Sequence, residues 1–114
     1  MSVSAYIINP KNKEEEAFSI PLSSEKVFNT YWLLGCQQNN LDLIAEMSYG
    51  VEIGAENYIS LINELSILKS WIEKELALDQ SLEIVQKINL LTKELESIFK
   101  LDKFDRNDVI LFIG

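Results

Sequence analysis

Carboxylates are the only side chains here numerous enough for general acid–base chemistry, and Asp42, Glu46 and Glu52 form the best-spaced row. The residue types suit a proton donor facing an acceptor across a substrate, but the spacing does not. Alternate residues on one strand face lie ~7 Å apart, so ~13 Å separates Asp42 from Glu46, too far for paired work. The chain has no histidine, which removes the commonest general base, the commonest zinc ligand and every Ser-His or Cys-His nucleophile. One cysteine, Cys36, cannot build a thiolate metal site. No phosphate-binding glycine loop and no calcium loop is present, and Gly50-x-x-x-Gly54 is too short to serve as one. The expectation is a protein that is not an enzyme, with no catalytic residue, metal or cofactor.

What the acids do offer is a surface. The net charge is −8, from 18 acids and 10 bases. From Val27 to Leu68 there are five acids, Asp42, Glu46, Glu52, Glu56 and Glu64, and no Lys or Arg. Nucleic acid and anionic membranes repel such a chain, because affinity for phosphate rests on basic residues. A basic protein partner is the complement. Against this stands the plainer reading, in which acidity serves solubility and the bases between Lys69 and Arg106 fold back to pair with the acids. Trp71 and Tyr49 are candidate anchors, since aromatic residues dominate interface energetics. Trp71, like Tyr58, also suits a core or boundary position.

The elements that carry these residues follow from periodicity. Val3, Ala5 and Ile7 alternate with Ser2, Ser4 and Tyr6, a short strand ended by Asn9-Pro10. Lys11 to Glu16, with the run Glu14-Glu15-Glu16, reads as a solvated loop. Phe18, Ile20 and Leu22 predict a second strand in a hairpin with the first, and Pro21 assigns it to an edge. Ser23 or Ser24 caps a buried helix over about Glu25 to Gln38. From Leu41 to Ile53 every odd position is apolar or aromatic, which predicts a strand with a bulge or turn at Ser48 to Gly50. A helix over Leu41 to Met47 is the competing reading, because Leu41, Ile44 and Met47 also fit that period. On the strand reading Asp42, Glu46 and Glu52 share the outward face, and Glu56 opens the next helix.

That helix runs from Ala55 to about Leu76, with Leu61, Leu65, Leu68 and Ile72 on its apolar stripe. A second, capped at Asp79 or Ser81, reaches about Lys100, and the short link makes the two an antiparallel hairpin. Val109 to Ile113 is a continuous apolar run suited to a central strand beside the first. The predicted order is β-β-α-β-α-α-β, a small mixed or antiparallel sheet packed against three helices in one α+β domain spanning residues 1–114. No signal peptide or stretch of roughly 18 apolar residues is visible, so the expected compartment is the cytoplasm. Cys36, among Tyr31, Trp32, Leu33 and Leu34, reads as a buried, inert thiol.

The Leu41 to Ile53 segment, the turn at Gly54 and the Glu64-Leu65-x-x-Leu68 helix together resemble the immunity proteins of bacterial polymorphic-toxin systems. The resemblance implies a short acidic α+β inhibitor that covers the active site of a cognate toxin, with a basic nuclease as the expected target. Asp42, Glu46, Glu52 and Glu56 would be the contacts, with Tyr49 and Trp71 as anchors. The alternative is a structural or oligomerising adaptor, for example phage-encoded, that uses the helical hairpin as its interface.

Overall fold

In a computed structural model of the chain, which describes residues 2–114, the N-terminal hairpin forms as its alternation predicts. Strand β1 (Ser2–Ile7) pairs antiparallel with β2 (Ser19–Ser24), with Val3, Ala5 and Ile7 inward and a register irregularity between Val3 and Ser4. Pro21, which has no N–H to give a further strand, lies in β2 at the sheet edge.

The connection between them corrects the solvated-loop expectation. Residues Lys13–Ala17 form a short helix, α1, whose N-cap Asn12 accepts the Glu15 N–H at 2.8 Å. Glu15 is buried at 1% exposure, and Arg106 is its partner. The Arg106 guanidinium donates to both Glu15 carboxylate oxygens, to the Asn9 carbonyl at 2.7 Å and to Asp108 at 3.0 Å. It therefore ties the N-terminal connection to the loop before the last strand. The guanidinium donors hold the Glu15 and Asp108 carboxyls below the usual carboxylate range, and the Glu15 carboxylate, with Asp108 second, pushes the arginine up.

Ser24 caps the next helix by accepting the Val27 N–H at 3.2 Å. Helix α2 (Glu25–Val27) runs through a π-helical turn, Phe28–Trp32, into α3 (Leu33–Asn39) as one continuous rod. It stops where Asn40 adopts a left-handed conformation, φ 57°. Phe28 and Trp32 stack inside the core with ring centres 5.6 Å apart. Gly35 lets α3 approach its neighbour closely, since a Cβ there would come within 2.5 Å of Leu68 and 2.9 Å of Trp71.

The long strand expected over Leu41 to Ile53 is not one element. Residues Asp42–Glu46 form helix α4, and only Val51–Ile53 is strand, β3. Helical spacing wins because Leu41, Ile44 and Met47 go into the core, at 3%, 0% and 0% exposure, whereas Leu43 and Ala45 are only half-buried. Gly50, at φ 102°, then turns the chain into β3.

Helices α5 (Tyr58–Glu75) and α6 (Leu78–Leu95) form the expected hairpin, and α6 continues through a π turn, Glu96–Lys100. Leu61, Leu65, Leu68 and Ile72 face Ile84, Ile88, Leu91 and Leu95 in the core. The last strand, β4 (Leu111–Ile113), lies between β1 and β3. The sheet order is β2-β1-β4-β3, every pair antiparallel. One sheet face carries the core and the other is open, which makes the fold α+β as the element order predicts. Among the described residues no helix is long and apolar enough to cross a membrane.

Candidate protein-binding surface

Helix α4 is only five residues long, so it cannot hold itself together by its own hydrogen bonds. Its leading amides are satisfied from outside. The Glu64 carboxylate, reaching across from α5, accepts the Ile44 N–H at 3.0 Å and the Leu43 N–H at 3.2 Å. Glu64 thus leaves the row of free acids and becomes a helix cap supplied by a distant residue. It also acts on Cys36: burial first, and then the nearby Glu64 charge, push the thiol up to about 12. This keeps it protonated and inert.

The four remaining acids of the segment all lie at exposed positions. Asp42 and Glu46 are one helical turn apart on the outer side of α4, with Cβ atoms ~5–6 Å apart. The chain then turns through Met47–Gly50, where the Tyr49 and Gly50 N–H groups both donate to the Glu46 carbonyl. Tyr49 is 94% exposed. Glu52 projects from β3 on the open side of the sheet, directly across from Phe112 of β4. Glu56 folds back over Gly54, whose added Cβ would meet both of its carboxylate oxygens at 3.0 Å. Asn57 closes this turn by donating to the Glu52 carbonyl and accepting the Gly54 N–H.

The acids therefore do not stand in one row, as a single strand would have set them. Asp42 and Glu46 occupy the side of a helix, and Glu52 occupies a sheet face reached through a four-residue turn. The plainer reading, in which bases between Lys69 and Arg106 fold back to pair with these acids, finds no ion pair to support it among the described residues. Ion pairs among the described residues join Lys11 to Asp108, Lys103 to Glu94, and Arg106 to Glu15 and Asp108. None involves Asp42, Glu46, Glu52 or Glu56. No group of three acidic or thiol side chains among the described residues is arranged to hold a metal ion.

Trp71 takes the boundary position. It is half-buried against Gly35 and its indole N–H donates to Gln38 at 3.0 Å. Tyr58 stacks on Phe99 at 5.2 Å between ring centres. Sequence reasoning missed Glu15 and Glu64. Asn12-x-x-Glu15 is a local capping pattern that marks the start of α1, but nothing near Glu64 in the chain identifies its two amide partners. A hollow of about 440 Å³ lies between the β2–α2 corner and α6, floored by Leu22, Val27 and Ile84 and rimmed by Asp79, Glu83 and Lys87. Compared with protein families, curated protein sequences and solved structures, the chain matches none.

Proposed function

We propose that this chain is a protein-binding inhibitor of the immunity-protein kind, which neutralises a basic, nuclease-type toxin through the acidic α4–β3 edge. The observation that carries the reading is the set Asp42, Glu46, Glu52 and Glu56, exposed and, among the described residues, in no ion pair, together with a fully projecting Tyr49. Like charges left together disfavour the compact state, and a cationic partner relieves that cost on binding. A nuclease active site carries positive potential for phosphate, so an acidic edge competes for the same groups. Complementary fields of this kind lift association toward ~10⁸–10⁹ M⁻¹s⁻¹ at low salt.

The test uses the protein encoded beside this chain in its genome. The native chain should inhibit that protein with an association rate that falls steeply as salt rises. Asn or Gln at all four positions should slow association about tenfold or more at low salt. Equal inhibition by the four-fold variant sinks the proposal.

A second reading, an oligomerising adaptor built on the helical hairpin, rests on its tip. Leu91 and Leu95 are fully buried and so cannot serve as an interface. Leu78 and Leu82, however, are 79% and 54% exposed around a shallow hollow of about 230 Å³. Light scattering distinguishes the two readings: a salt-insensitive oligomer that Leu78→Asp with Leu82→Asp dissolves favours the adaptor.

A further inference from the structure

We infer that the open sheet face at Tyr6, Phe112 and Glu52 is a receptor for an arginine side chain of the protein partner. The inference rests on the inhibitor reading for the source of that arginine. Strand register supplies the first argument. Tyr6 of β1 pairs with Phe112 of β4, and Phe112 pairs with Glu52 of β3. Residues directly opposite in an antiparallel ladder project from the same face, with Cβ atoms ~4.5–5.5 Å apart. An aromatic pair and a carboxylate thus stand in one row on the solvent side.

The second argument is that the row is rigid. The Phe112 ring packs onto Gly50 and Gly114, where an added Cβ would come within 2.4 and 2.8 Å of ring atoms. Tyr6 leans against it at 5.5 Å between ring centres, tilted by 51°, and stays 41% exposed. Glycine at 50 and 114 is what allows the ring to lie down there. The other outward positions of β1 and β2 are serines and Pro21, which are short beside the rings.

The third argument is charge. No Lys or Arg lies on the strands of this face, and among the described residues Glu52 is in no ion pair. A guanidinium satisfies both halves of the site at once, because its flat face stacks on an aromatic ring while its forked donors engage a carboxylate. An ammonium is a compact, strongly hydrated point charge and satisfies only the second half. A second copy of this chain cannot supply the group. Its one arginine, Arg106, is already held by Glu15, Asn9 and Asp108.

The experiment is a pair of NMR titrations of the full chain with the blocked tripeptides Gly-Arg-Gly and Gly-Lys-Gly. The arginine peptide should move the Tyr6, Gly50, Glu52 and Phe112 resonances, with millimolar affinity about threefold or more above that of the lysine peptide. Glu52→Gln and Tyr6→Ala should each weaken it about fivefold. Both lie at exposed positions, and a matching spectrum elsewhere checks that each variant folds. Shifts scattered over Asp79, Glu83 and the other acids, equal affinity for lysine, or indifference to Glu52→Gln overturns the inference. Failure of the inhibitor reading looks different: toxin inhibition would survive loss of all four acids while the arginine peptide still bound the native chain and was weakened by Glu52→Gln.

Discussion

Glu64→Ala tests how the acidic edge is held. The substitution removes a half-buried carboxylate that accepts two amide hydrogens of α4, at 3.0 and 3.2 Å. Losing a helix cap costs about 0.5–2 kcal/mol, and a hydrogen bond to a charged group contributes roughly 1.5–3 kcal/mol where water cannot replace it. Water reaches part of this site, and removing one acid relieves some repulsion from Asp42 and Glu46. A net loss of about 2 kcal/mol follows from the lower halves of these ranges. With an unfolding entropy of ~2.1 cal/mol/K per residue, that lowers the melting temperature by roughly 8 °C. Glu64→Gln keeps one acceptor oxygen and should lose about half as much. Thermal unfolding followed by circular dichroism gives the size, and amide exchange gives the location: Leu43 and Ile44 should exchange faster while the α5–α6 core does not. If Glu64→Ala melts with Glu56→Gln, a surface control, or if exchange rises evenly through the chain, the cap reading is wrong.

Two further predictions concern the clamp and the turn. The Glu15 and Asp108 carboxyls titrate lower in the folded state than in the unfolded chain. Their contribution is therefore complete above the unfolded values near 4 and is lost as pH falls through the depressed folded ones. Arg106→Gln should lower stability at pH 7 and flatten this acid limb in urea unfolding measured from about pH 5 to 2; an unchanged slope excludes the clamp as its source. Gly50→Ala must adopt φ 102° with a Cβ driven into Phe112. It should lose roughly 1–3 kcal/mol in the same assay, and a neutral result refutes the close packing of ring on glycine.

Much of the fold is legible in local pattern. Alternation in Ser2–Ile7, Pro21 at an edge, the unbroken apolar run of the last strand and the stripes of α5 and α6 each reflect one buried face. The error at Leu41 to Ile53 has a physical origin. With apolar residues at every odd position, spacings of two and of three coincide at Leu41 and Met47, so the pattern is ambiguous. Ile44, the one apolar residue on the even side, was the discriminating position, and it is fully buried. No cap residue precedes α4 to announce it, because its acceptor is Glu64, twenty-one residues from Leu43. Glu15 fails for the same kind of reason, since its partner Arg106 is 91 residues away. The candidate acids were legible as exposed, whereas their separation onto a helix side and a sheet face was not. The Tyr6–Phe112–Glu52 row depends on strand order, which no local pattern carries.

The position of β4 sets the order in which the molecule can be completed. Strands β1 and β3 share no neighbour until residues Leu111–Ile113 are available, and the β1–β4 pairs close loops of more than a hundred residues. Pairings so distant along the chain are slow to form, since the entropy of closure is spent before any contact is gained. During synthesis the β1–β2 hairpin and the α5–α6 hairpin can form first, leaving an open slot between two strand edges. Phe112 arrives with the strand that fills it. The aromatic platform therefore forms only after β4 has joined β1 and β3, and a chain that stalls short of it presents sticky strand edges in place of a binding surface.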